Sequence, residues 1–161
     1  MNNLSNKKVL ICVTGSIAAY KVCDFIRALR KLEIHVKVIM TESAQKFIGV
    51  LTLAALSDNE VVTEQFPDNP KPGLEHIDFA IDYHAVVVIP ATANIICKAA
   101  NGVADDLVST CLSITKKPTI FVPAMNFRMW QNTATQKSVT QLRDRGIKVL
   151  NPEEGLLASL H

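Results

Sequence analysis

Four short segments of this chain carry most of the side chains that could do chemistry: "TGSIAAYK" (14–21), "MTESA" (40–44), "PATANIICK" (90–98) and "PAMNFRMW" (123–130). Gly15-Ser16 joins an apolar run to a helix start. Free N–H groups there suit a phosphate, with the Ser16 hydroxyl as a further donor, and they equally suit an ordinary N-cap. Thr92 and Asn94 follow a second apolar run. An Asn amide offers both a donor and an acceptor, which a flavin's pyrimidine edge needs, and capping is again the alternative. "PAMNFRMW" places the only Trp and two of the four Met just beyond a third apolar run. Such a segment must be covered by a ligand, a neighbouring subunit or the chain's own core. His76, in "GLEHIDFA" beside Glu75 and Asp78, is a loop histidine able to act as a base near neutral pH. Asp105-Asp106 is no acid/base pair, because adjacent helical residues face different ways; one of them reads as an N-cap or ion-pair partner. Neither G-x-G-x-x-G nor G-x-S-x-G occurs, so a dinucleotide and a serine hydrolase are not indicated.

These segments need a scaffold that brings them together. "KKVLICVTG" (7–15), "HVKVIM" (35–40), "AVVVIP" (85–90), "PTIFVP" (118–123) and "IKVLNP" (147–152) read as strands, the first and third as fully buried ones. Residues 16–33 form a helix with an apolar stripe at Ile17, Tyr20, Val22, Phe25, Ile26 and Leu29. A helical stretch over 41–59 breaks near Gly49, one or two helices span 91–114, and an amphipathic helix spans 132–146. "FPDNPKPG" (66–73), with three prolines, is a loop. Strands alternating with helices predict an α/β fold: a Rossmann-like, doubly wound parallel sheet with helices on both faces, in a single domain. In such sheets ligands bind beyond the carboxyl ends of the strands, where all four segments fall.

The chain has 161 residues, 48% hydrophobic and 20% charged, with a net charge of +2. That is one globular domain without the strong field that nucleic acid or a membrane surface would demand. "MNNLSNKK" lacks a signal peptide's apolar core, and no apolar run reaches the roughly 20 residues of a membrane span, which predicts a cytoplasmic protein. Cys12, Cys23, Cys97 and Cys111 are dispersed among apolar neighbours and read as small hydrophobes, with no metal site.

Together the motifs closely resemble the flavin-dependent cysteine decarboxylase family, which includes phosphopantothenoylcysteine decarboxylase and the lantibiotic peptidyl-cysteine decarboxylases. The resemblance runs from "VTGSIAAYK" through "EHIDFA", "PATANIICKAANGVADDL" and "PAMNFRMW" to "PEEGLLAS", and "PAMNFRMW" fits the family's P-x-M-N-x-x-M-W motif in full. It implies a flavoprotein domain over 1–161 that binds FMN between the subunits of a homotrimer or a multiple of trimers. Gly15, Ser16, Ile17, Thr41, Ser43, Phe47, Thr92, Ala93, Asn94, Ile95, Ala124 and Met125 would meet the flavin. His76 matches the active-site histidine and proton acceptor, and Asn126 the substrate-binding asparagine. In the implied reaction a cysteinyl Cβ–S unit loses two electrons to FMN, the resulting thioaldehyde lets CO2 leave, and an enethiol remains.

One departure matters. Coenzyme A pathway members carry a Cys in a flexible "G-x-L-A-C-G" segment, and here the matching stretch is "GLLASLH", with Ser159 in its place. A hydroxyl is a far weaker acid than a thiol, whose free pKa is about 8.5. Two readings follow: a coenzyme A enzyme whose C-terminal clamp and last helix are altered or absent, or an enzyme that stops at the enethiol, as the peptide branch does. "PAMN" and "GSIAAYK" look like the coenzyme A branch, since the peptide branch tends to carry Asn in place of Ala124. The resemblance therefore implies decarboxylation of 4'-phospho-N-pantothenoylcysteine to 4'-phosphopantetheine, with a peptide C-terminus as the alternative substrate. A flavin-binding regulatory subunit is the non-catalytic alternative. A quinone-pathway prenyltransferase fits less well, because His76 and "PAMNFRMW" belong to the decarboxylase pattern.

Overall fold

A computed structural model of the chain describes residues 4–68, 78, 79 and 81–152. His76 and Ser159 lie outside the described residues. The ordered elements are β1 (Lys8–Val13), a 3₁₀ turn (Ile17–Lys21), α1 (Val22–Lys31), β2 (His35–Met40), a second 3₁₀ turn (Glu42–Lys46), α2 (Val50–Ser57), β3 (Val61–Val62), β4 (Ala85–Ala91), α3 (Ala93–Asn101), α4 (Leu107–Ile114), β5 (Thr119–Pro123), α5 (Phe127–Gln131), α6 (Thr133–Asp144) and β6 (Lys148–Val149). The six strands form one sheet in the order β3-β2-β1-β4-β5-β6, with every neighbouring pair parallel. The chain winds outward from β1 to β3, returns to the other side of β1 for β4, and winds outward again to β6. The switch point lies between β1 and β4, as a doubly wound sheet requires.

Period-two alternation within apolar strands feeds two cores. Val9, Ile11 and Val13 join Val36, Val38 and Met40 against Val22, Ile26 and Leu53, from α1 and α2. Leu10 and Cys12 join Val86, Val88 and Phe121 against Ile95, Ile96, Val108 and Leu142, from α3, α4 and α6. Leu10, Ile11 and Phe121 are fully buried, and each contributes about 1.5–3 kcal/mol by leaving water. Helices thus cover both faces.

The departures from the sequence reading are local. The helix expected over 16–33 begins as a 3₁₀ turn, in which Ala19 N–H donates to Ser16 O three residues back. The 41–59 stretch splits as anticipated, with Gly49 in extended geometry at the start of α2. The 91–114 stretch is two helices. Gly102 ends the first at φ +71, where a side chain would be strained, and Asp106 opens the second through a capping box with Ser109. Strand β3 was not anticipated: two residues are too few to show a period. The segment after Pro123 is not wholly a loop, since Phe127–Gln131 forms a helical turn.

Cys12 and Cys111 sit in the same core. Burial pushes the Cys12 thiol well above its ordinary range, and burial followed by the Asp106 charge raises Cys111 to about 12. Both should stay protonated and sheltered. Iodoacetamide at pH 8 should therefore leave both unmodified in native protein by peptide mapping, and alkylate both in denaturant. Fast native alkylation of Cys12 would contradict this packing.

Candidate active site at the strand ends

Beyond the switch point the strand ends are joined by hydrogen bonds that do not belong to the sheet ladder. Thr41 N–H donates to Val13 O at 3.0 Å, which ties β2 to β1. Ala124 N–H donates to Ala91 O at 3.1 Å, which ties β5 to β4. Across the switch, Thr14 Oγ1 donates to Pro90 O at 2.6 Å and accepts from Thr92 N–H at 3.3 Å. The Ser16 hydroxyl reaches further and donates to Ala124 O at 3.2 Å. The four segments singled out from the sequence therefore form one connected rim.

Each helical start on this rim is capped by its own hydroxyl or amide. Ser16 accepts from Ala18 N–H, Thr41 from Ala44 N–H, Thr92 from Ile95 N–H and Asn126 from Arg128 N–H. The capping readings hold, and each such cap is worth about 1 kcal/mol. Capping does not exhaust these groups. The first N–H groups of a helix have no partner within it, so the start of α3 still presents donors. Gly15 is needed for close approach: a Cβ there would stand 2.6 Å from Ser43 Oγ. The Ser43 hydroxyl in turn lies 3.1 Å from Thr41 Oγ1. Glycine here therefore lets the turn after β2 pack directly against the exit of β1.

The segments so joined carry Gly15, Ser16 and Ile17, then Thr41, Ser43 and Phe47, then Thr92, Ala93 and Asn94, and finally Ala124, Met125 and Asn126. Asn94 and Asn126 are exposed. Ile95 differs from the others: its side chain is buried in the core and its N–H is used by Thr92. Met125 and Trp130 are partly buried against the chain's own core. Part of the cover for Trp130 is thus the chain's own core, one of the covers the sequence allowed. Phe127 and Met129, at 57% and 49% exposure, are the residues left uncovered.

Thr14 was missed. A β-branched residue closing an apolar run reads as the last residue of a strand, and only its place before Gly15-Ser16 hinted at more. Lys98, one turn from the end of α3, pairs with both Asp105 and Asp106. Its hydrogen bond holds the Asp105 carboxyl below the ordinary range, so the acidic pair is structural. A groove of about 630 Å³ lies at the opposite, amino end of the sheet, lined by Lys116, Lys117, Thr119, Arg145 and Gly146. Its cations stand at helix carboxyl ends, and Arg145 donates to Ala100 O at 2.7 Å. They offset dipoles there rather than await an anion.

No helix among the described residues is long and apolar enough to cross a membrane, and no cluster of potential metal ligands occurs among them. The Flavoprotein family model matches residues 1–159. The coenzyme A biosynthesis bifunctional protein CoaBC of Bacillus subtilis is 43% identical over 155 residues, which is 96% of this chain and 38% of that protein. The chain therefore spans less than two-fifths of that relative's length. Among solved structures, the FMN-dependent cysteine decarboxylase SpaF superposes with a TM-score of 0.89 at 32% identity, over 94% of this chain and 87% of that one. A PPC decarboxylase variant complexed with pantothenoylaminoethenethiol gives 0.86 at 27% identity, over 95% and 86%. The doubly wound sheet is thus one instance of a shared architecture, and the chain belongs to the Flavoprotein family.

Proposed function

We propose that this chain is an FMN-dependent carboxy-lyase acting on a cysteinyl carboxylate, with 4'-phospho-N-pantothenoylcysteine as its substrate in coenzyme A biosynthesis, in the cytoplasm. The observation that carries the reading is the Ser16–Ala124 hydrogen bond. It couples the segment suited to a cofactor to the segment that presents Asn126, in a chain alike to CoaBC over nearly its whole length. The residues fit FMN. The hydroxyls of Ser16, Thr41, Ser43 and Thr92 and the amide of Asn94 are a neutral donor and acceptor set, and α3 adds a helix start. When bound, FMN supplies a two-electron acceptor for the Cβ–S unit of the substrate.

The protein's own part is orientation, proton handling and exclusion of water. Arg128 N–H holds Asn126 Oδ1 at 2.9 Å. That fixes the amide with its NH2 group as the half left to donate to a substrate carboxylate. His76 accepts a proton as the thiol is oxidised. Loss of CO2 then needs only the adjacent thiocarbonyl as electron sink. Ile17, Phe47, Phe127 and Met129 are exposed around the rim. Once covered, they make the site dry, which strengthens the carboxylate–amide contact.

Part of that cover is another copy of the chain. Tyr20 and Leu51 are 62% and 82% exposed, one helical turn along the chain from Ile17 and Phe47, and α2 is apolar at all its positions but Thr52 and Ser57. A trimer or a multiple of trimers would bury this face. Light scattering at micromolar concentration should give such a mass for the wild type. Leu51→Glu should shift the mass toward the monomer while keeping the helical circular dichroism. A monomeric wild type would overturn the assembly.

The reaction is tested by anaerobic incubation with 4'-phosphopantothenoylcysteine and mass analysis. Loss of CO2 alone marks the thiol product, and loss of CO2 with two further hydrogens marks the enethiol. An unchanged substrate, with a C-terminal cysteinyl peptide consumed instead, would transfer the chain to the peptide branch. Neither consumed, with FMN bound, would mean a regulatory flavoprotein.

The site roles are tested separately. His76→Asn should retain FMN and lose turnover by roughly 10²-fold or more. Asn126→Asp keeps an acceptor for Arg128 N–H and so keeps the turn, but replaces two donors by a negative charge. It should bind FMN normally and fail to bind substrate. Wild-type decarboxylation by either variant would remove that residue from the site.

A further inference from the structure

We infer that Thr14 is the positioning residue that holds the two halves of the cofactor crevice at their working separation, a role that rests on the FMN reading above. The β1–β4 ladder pairs Val9 with Ala85 through Cys12 with Val88 and goes no further. Residue 90 is proline and has no N–H to extend it. Beyond Val88 the register of β4 against β5 also shifts. The sheet therefore runs out of backbone pairing at the switch point, just where the cofactor segments begin.

Thr14 replaces the ladder with a side chain. It is 1% exposed. Its hydroxyl donates to Pro90 O at 2.6 Å, accepts from Thr92 N–H at 3.3 Å and lies 3.5 Å from Thr92 Oγ1. Thr92 is the N-cap of α3, so its N–H belongs to no helical turn. One hydroxyl thus satisfies an acceptor and a donor on β4 and its exit while its own residue precedes Gly15. On one side it fixes the Gly15–Ser16 turn, and on the other the start of α3 with Asn94. Thr14 itself is too buried to touch the flavin. It acts through both segments, so losing its hydroxyl lets them part and misplaces donors that are individually intact.

Thr14→Val is isosteric and removes only the hydroxyl, whereas Thr14→Ser retains it. The dissociation constant for FMN is read by flavin fluorescence quenching, well below the melting temperature. Hydrogen exchange over 91–95 is read on the cofactor-free protein. Thr14→Val should weaken FMN by on the order of tenfold, the size of one net hydrogen bond, and speed exchange over 91–95. Thr14→Ser should restore both to near wild type. A merely structural role would lower the melting temperature of Thr14→Val and leave its FMN affinity unchanged, and that result overturns the inference. So does a tenfold loss in Thr14→Ser, which decides the matter even if the valine variant does not fold. A wild-type protein that binds no FMN would instead refute the cofactor reading.

Discussion

At the β1–β4 junction the sheet's two halves part, and a side chain takes over where backbone pairing ends. The hydroxyl of Thr14 spans from β1 to Pro90 O and Thr92 N–H. The four linked strand-end segments are arranged about that point. Winding outward in two directions from neighbouring strands leaves a crevice between the two halves at the strand ends. The four chemistry-bearing segments are the turns that leave the strands beside it. Cross-links between Val13 and Thr41, Ala91 and Ala124, and Ser16 and Ala124 hold those turns against one another.

The crevice is polar inside and apolar outside, the reverse of an ordinary surface pocket's rim. The hydroxyls of Ser16, Thr41 and Thr92 and the amide oxygen of Asn126 each cap a helical start and are positioned by it. Ile17, Phe47, Phe127 and Met129 stand exposed around them. Isolated exposed apolar residues need no explanation, but several around one polar crevice imply a cover. The caps preorganise the rim at little entropic cost, since those bonds also start the helices. Lys98 and its two aspartates hold the α3–α4 junction, well along α3 from the donors at its start.

Much of this was legible in the chain alone. Buried strands alternating with helices and turn residues at strand ends led to the doubly wound sheet, because each feature has a period or a breaker that survives in one dimension. The segments of the site were legible for the same reason. What one dimension hides is pairing across the sheet. Thr14 reads as a strand end until Pro90 and Thr92 are beside it. The sequence leaves open what covers Trp130, and the α5 turn sets it partly against the core. Strand β3 is two residues held at the edge by β2, with no signal of its own. Gly15 reads as a turn glycine, whereas its tightest constraint is Ser43, from the next turn over.

The central claim is that the cofactor occupies the carboxyl-end crevice at the switch point. Hydrogen–deuterium exchange of the full chain with and without saturating FMN tests this most directly. The account predicts protection confined to 14–18, 41–47, 91–95 and 122–126, on both sides of the junction. Protection confined to one half, or centred on Lys116, Lys117 and Arg145 in the groove at the amino end of the sheet, would contradict it.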